Sequence, residues 1–113
     1  MYGLETLDRK SFETKASTAA RFLRAVANER RLMILCHLGG GEKSVGELCG
    51  LVGLRPSALS QHLARLRADR LVSTRREGQT IYYRLESPDA AALIKTLAGI
   101  FCPPPSANRR KTK

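Results

Sequence analysis

Residues 44–85, SVGELCGLVGLRPSALSQHLARLRADRLVSTRREGQTIYYRL, leave this chain few folds to choose from. Val45, Leu48 and Val52 recur at helical spacing, and Leu51 is expected on the same apolar side. Ser44, with Glu47 three residues later, has the form of a capping box, and Gly53 stands where a left-handed residue ends a helix. Pro56 suits the first turn of a second helix, where its missing N–H costs nothing. Along that helix Leu59, Leu63 and Leu66 share one face. Ser57, Gln61, Ala64 and Arg65 fall opposite them, with Ser60, His62 and Arg67 on the flanks. Two strands follow, 71–76 and 79–85, turned at Glu77-Gly78, and TIYY brings the β-branched and aromatic content of a strand. Short helix, tight turn, second helix and two-stranded ribbon is the order of a winged helix-turn-helix.

In such an arrangement the second helix enters a DNA major groove. Ser57, Ser60, Gln61, His62, Arg65 and Arg67 offer donors for base edges and phosphates, and the small alanines keep the helix slim. Gln61 reads a base or belongs to a solvated polar face. Arg75, Arg76 and Arg84, on or beside the ribbon, would meet phosphates. A formal charge of +10 fits a polyanionic partner; membrane surfaces and acidic proteins are the competing partners for such a charge. No apolar run approaches the roughly 20 residues that span a bilayer. The first residues, MYGLETLDRK, lack the apolar stretch of a signal peptide, so a cytoplasmic location is expected.

The flanks complete one small domain. Residues 1–13 have no clear period and are expected to form a loose arm or a frayed helix start. Residues 14–102 make up the domain. Within it, a helix over 14–27 carries Ala19, Phe22, Leu23 and Val26 on one side, and Asn28 separates it from ERRLMILCHL, with Leu32, Leu35, Cys36 and Leu38. Gly39-Gly40-Gly41 stops that helix. Ser87-Pro88 opens a last helix bearing Leu93, Ile94, Leu97, Ile100 and Phe101, which ends before Pro103-Pro104-Pro105. Residues 103–113 are expected to be a proline-rich, then basic, disordered tail. The fold class is therefore mainly α with a two-stranded β wing. The first and last helices carry more apolar surface than so small a core can use, which predicts a homodimer through them. Two-fold symmetry would set the recognition helices roughly 34 Å apart, on successive half-sites of double-stranded DNA.

Three cysteines, Cys36, Cys49 and Cys102, are an odd number and argue against a disulfide framework. Taken alone, Cys36 in its apolar helix reads as a small buried hydrophobe. Cys102 closes a helix beside the prolines and should be reachable. His37 and His62 lie in no cluster with metal-ligand spacing, so neither a metal nor a cofactor is expected. Without a CxxC motif or a cofactor fingerprint, nothing suggests an enzyme.

ANERRLMILCHL (27–38), SVGELCGLVGL (44–54), SALSQHLARLR (57–67), REGQTIYYRL (76–85) and the closing IFC (100–102) together resemble the ArsR-type bacterial repressors. The nearest likeness is to the branch that senses persulfide and polysulfide, which includes repressors of sulfide-oxidation and biofilm-associated operons. That resemblance implies a repressor that holds its operator when reduced. Persulfide or polysulfide would link Cys36 and Cys102 within one subunit and release the DNA, controlling genes of a sulfide-detoxification type. A general oxidant-responsive repressor using the same cysteines, or a thiolate metal sensor, are the alternatives. Metal-sensing relatives carry ELCxC, but here Leu51 stands in place of the second cysteine, and the last helix has Asp89 but no histidine. In RADRLV, Arg70 takes a position where family members usually have glycine. Arginine there either alters the turn or carries left-handed strain, offset by a phosphate.

Overall fold

The structure, a computed structural model, describes residues 8–102. The expected tail over 103–113 and the first part of the arm lie outside them. The chain runs α1 (Arg9–Thr14), α2 (Ala16–Val26), α3 (Glu29–Gly39), β1 (Lys43–Ser44), α4 (Val45–Val52), α5 (Pro56–Ala68), β2 (Val72–Glu77), β3 (Thr80–Leu85) and α6 (Pro88–Phe101).

Local chemistry accounts for most boundaries. Asp8 accepts from the Ser11 N–H and starts α1, so the segment read as a loose arm or a frayed helix start contributes a short helix. Asn28 caps α3 through the Arg31 N–H, and Ser87 caps α6 through the Ala90 N–H. Both halves of the α4 capping box form: Ser44 Oγ accepts from Glu47 N–H at 3.1 Å, and Glu47 Oε1 accepts from Ser44 N–H at 2.7 Å. Gly53 closes α4 at φ 74°, and Pro56 opens α5. Two neighbouring arginines of α3 serve as C-terminal caps. Arg31 donates to the carbonyls of Ala25 and Arg24 at the end of α2, and Arg30 to that of Val52 at the end of α4.

The wing has three strands rather than the expected two. The order is β1-β3-β2, all antiparallel, with Lys43 opposite Tyr83 and Ser44 opposite Tyr82. A two-residue strand has no periodicity to read; it exists because the tyrosines of β3, distant in sequence, offer it a ladder. β2 and β3 pair from Val72↔Leu85 to Glu77↔Thr80. The two-residue turn begins at Gly78 with φ 64°, a backbone that side chains with a Cβ disfavour.

Ile34, Leu35, Leu48, Leu59, Leu63 and Leu66 are the large side chains at the centre of the core, where α3, α4 and α5 meet. Leu71, Val72, Ala90 and Ile94 extend it to the wing base and α6. Two residues expected on inward faces turn outward instead: Leu51 is 47% exposed, and Cys36 is also exposed. Leu23, part of the surplus apolar surface expected of the first helix, is 53% exposed. In α3 the buried Leu35 and Leu38 set the inward face, and Cys36 falls about 100° around the helix from Leu35.

Arg70 occupies a left-handed conformation at φ 61°, the single non-glycine among the described residues to do so. The turn keeps its usual form: Leu71 N–H bonds Leu66 O at 2.9 Å and Arg70 N–H bonds Arg67 O at 3.0 Å, the paired bonds of a Schellman motif. Leu66 and Leu71 are both buried where that motif wants an apolar contact. The strain is therefore accepted rather than avoided. Arg70→Gly is expected to stabilise the fold by about 1 kcal/mol, seen as a higher urea midpoint with an unchanged slope.

Candidate nucleic-acid interface and thiol groove

α5 is held by its leucines, which turns its other side to solvent. Leu59, Leu63 and Leu66 are buried, while Ser57, Ser60, Gln61, Arg65 and Arg67 are exposed on the outer surface. His62 is half-buried on the flank. Between α5 and the wing lies an open cleft of about 360 Å³, lined by Ser60, Ala64, Arg67, Ala68 and Tyr83. Tyr83 was not among the residues expected here. Its strand pattern marked it as sheet, and only the pairing of β3 brings it beside α5.

The arginines divide into two groups. Arg65 Nε reaches Asp69 Oδ2 at 2.9 Å, and Arg21 Nε of α2 reaches Asp69 Oδ1 at 2.9 Å. Arg75 Nε lies 3.0 and 2.9 Å from the two oxygens of Glu42, with Nη1 3.1 Å from Glu77. Its guanidinium sits over the Tyr82 ring at 4.5 Å. Arg84 donates to Ser73 Oγ at 2.9 Å. Among the described residues Arg67 and Arg76, by contrast, take part in no ion pair.

The hydrogen bond from Arg65, aided by Arg21, holds the Asp69 carboxyl below the ordinary aspartate value of 3.8 against the opposing effect of desolvation. A lowered folded-state pKa means that this carboxylate stabilises the fold above the unfolded value and ceases to do so as acid titrates it. Both arginines are well exposed, at 68% and 42%, so solvent screens the pairs. Asp69→Asn is expected to cost about 1 kcal/mol near neutral pH. Urea titrations of parent and variant should converge as pH drops through the aspartate range and below; a gap that persists in strong acid would rule the ionic account out.

Cys36 on α3 and Cys102, the C-cap of α6, are both exposed. They line one groove of about 200 Å³ with Leu32, Met33, Ile94, Leu97, Ala98 and Phe101. Among the described residues no charged side chain lines it. Cys49, half-buried in α4, packs against the core and is not part of this groove. Among the described residues no three of His, Cys, Asp and Glu are grouped to hold a metal, and no helix is long and apolar enough to cross a membrane.

Residues 28–74, from the cap of α3 into β2, match the family described as bacterial regulatory protein, arsR family. Over 96 residues the chain is 48% identical to the transcriptional activator HlyU of Vibrio cholerae, covering 85% of this chain and 89% of that one. This chain belongs to the ArsR family. Its fold is shared with the transcriptional repressor BigR of Xylella fastidiosa at a TM-score of 0.81 and 40% identity, over 87% of this chain and 100% of that one. The homodimeric winged helix-turn-helix DNA-binding domain of Mb0332 from Mycobacterium bovis aligns at a TM-score of 0.70 and 35% identity, over 88% and 89% of the two chains. As an ArsR-family protein, this chain is a DNA-binding transcriptional regulator and not an enzyme. The stretch matching the family ends before α6, so Cys102 lies outside it. The likeness to BigR extends well beyond that stretch.

Proposed function

We propose that this protein is a homodimeric repressor that holds operator DNA when its thiols are reduced and releases it when persulfide or polysulfide joins Cys36 to Cys102. The observation that carries this reading is the apolar groove that both thiols line. Transfer of sulfane sulfur from a persulfide RSSH to Cys36 gives a Cys36 persulfide and the thiol RSH. Attack by the Cys102 thiolate on the inner sulfur then forms the disulfide and expels hydrogen sulfide. If both cysteines are first persulfidated, condensation with loss of one hydrogen sulfide leaves a trisulfide. The donor's sulfane sulfur is the oxidant in each case, so no further reagent is needed. Bridging favours one arrangement of α3 against α6. The reading requires that arrangement to differ from the one that binds DNA.

Dimerisation through the first and last helices is supported by Phe12, Leu23, Ile100 and Phe101, each more than half exposed. Homodimeric Mb0332 supports it as well. Ser57, Ser60, Gln61 and His62 are assigned to the major groove, with Arg67 and Arg76 on phosphates. Arg65 and Arg75 reach phosphate only by exchanging a carboxylate partner. Each unpaired cation placed on a phosphate releases about one counterion. Arg67→Ala is therefore expected to lower the salt slope of operator binding by about one, and Arg75→Ala by clearly less.

The reading is tested by measuring operator affinity of reduced protein before and after glutathione persulfide, with intact mass spectrometry on both samples. Loss of binding with an intrachain bridge containing added sulfur is the expected result. A plain disulfide formed equally well by peroxide would replace persulfide with a general oxidant as inducer, and unchanged binding would remove the thiols from regulation. The genes controlled would be of a sulfide-detoxification type.

A further inference from the structure

Arg75, an expected phosphate contact, already has every nitrogen of its guanidinium engaged. Nε lies 3.0 and 2.9 Å from the two oxygens of Glu42, Nη2 lies 2.9 Å from Glu42, and Nη1 lies 3.1 Å from Glu77. The group also lies over the Tyr82 ring at 4.5 Å. These partners come from across the sheet. Arg75 is on the edge strand β2, Tyr82 is opposite it on the central β3, and Glu42 directly precedes β1 on the other edge. The side chain is a strap laid over the sheet. We infer that Glu42 and Arg75 are positioning residues for DNA binding: they hold the wing in advance at the angle from which Arg76 meets a phosphate, and neither contacts DNA itself.

Strand alternation separates the strap from the surface that faces DNA. Arg75 and Tyr82 share one face of the hairpin, while Arg76 and Tyr83 share the other. Tyr83 lines the cleft beside α5, so it is the face of Arg76 that adjoins the recognition helix. The wing also lacks other support there. β1 pairs only at Lys43↔Tyr83 and Ser44↔Tyr82, which leaves the hairpin from Arg76 to Ile81 with two strands. A two-stranded hairpin is marginal by itself, and the buried Leu71 and Val72 anchor only its base. Arginine suits this task because its planar fork meets a carboxylate at two points and its flat face stacks on a ring. Direction is thereby fixed along with distance. Each partner also favours the charge of the other: the hydrogen bond from Arg75 holds the Glu42 carboxyl below its ordinary value, and Glu42, then Glu77, raise the pKa of Arg75. Single exposed ion pairs contribute little, but a bidentate pair within a network is the case that does.

The inference rests on the wing reaching DNA, as proposed above, and is independent of the thiol switch. Its test is a sign. Removing a carboxylate near DNA ordinarily tightens binding, because repulsion of phosphate is lost, and here Arg75 would be set free as well. If Glu42 positions the wing, Glu42→Ala instead weakens operator binding about fivefold, since the hairpin must then be ordered at the moment of binding. The salt slope should stay the same, because Arg76 still makes its contact once docked. Arg75→Lys keeps the charge but loses the fork, and should weaken binding in the same way. On an Arg76→Ala background, Glu42→Ala should cost less than about twofold, because the strap acts through that contact. Reduced full-length proteins are titrated by fluorescence anisotropy over a series of KCl concentrations, on the duplex that the parent selects from a randomised pool. Urea midpoints establish that each variant is folded. Unchanged or tighter binding by Glu42→Ala, parent-like binding by Arg75→Lys, or an undiminished cost on the Arg76→Ala background would each overturn the strap. Should Arg76→Ala alone alter neither affinity nor salt slope, the wing does not reach DNA, and that part of the proposed function falls together with the strap. A lower slope in Arg76→Ala beside parent-like binding by Glu42→Ala overturns the strap alone.

Discussion

Cys102→Ser is expected to leave operator binding by the reduced protein unchanged and to abolish release by glutathione persulfide. Cys102 is exposed at the C-cap of α6, and its backbone N–H makes the capping bond to Ala98. Serine preserves that bond and nearly the same shape, so stability should shift by no more than about 0.5 kcal/mol. The sulfur that closes the bridge is lost. Cys36 can still accept sulfane sulfur, and intact mass should show a persulfide on it without an intrachain link. Cys36→Ser should fail in the same way, whereas Cys49→Ser should respond like the parent protein, since Cys49 lies in α4 away from the groove. Fluorescence anisotropy on labelled operator, with and without persulfide, reads all three. Full release from Cys102→Ser would sink the dithiol mechanism, because a single persulfidated cysteine would then suffice.

Leu63→Ala should cost about 2–5 kcal/mol of folding stability. Leu63 is 1% exposed and lies midway along α5, between Leu59 and Leu66 in the core that joins α5 to α3 and α4. Removing its side chain leaves a cavity that rigid helices on three sides cannot fill. For a domain of this size that is a fall in melting temperature on the order of 10–20 °C. Operator affinity should fall too, because the same leucines fix how α5 presents Gln61 and Arg67. Leu51→Ala is the matched control. Leu51 is 47% exposed, and its loss should change stability by less than about 0.5 kcal/mol. Similar losses in both variants would mean that the core does not run through α5 as described.

These two leucines show where the chain's pattern is enough to read and where it is not. Leu63 could be placed because its neighbours at helical spacing are apolar and the opposite face is polar. Leu51 could not, since α4 is apolar on nearly every side and its inward face depends on which helices arrive against it. The same holds for Cys36. Its helix is apolar on several sides, and the packing of α3 through Ile34, Leu35 and Leu38 turned the thiol outward. The arginines were legible as charges but not as partners. Arg75 meets Glu42 from the loop before β1, and Arg21 meets Asp69 from the end of α5. Neither pairing follows any local spacing.

What the amino-acid order determined by itself is the set of features encoded over a few residues. The capping box at Ser44, the left-handed glycines Gly53 and Gly78, Pro56 at the head of α5 and the leucine stripe behind it specify helix, turn, helix and hairpin through backbone geometry and nearest-neighbour hydrogen bonds. A general family likeness could be read from them. Tertiary structure decided the rest. It paired β1 with the tyrosines of β3, set Tyr83 beside the recognition helix, bound two arginines to distant carboxylates, and brought Cys36 and Cys102 to one groove. Such contacts join residues far apart in sequence, and their existence depends on how whole faces pack together rather than on any short-range code.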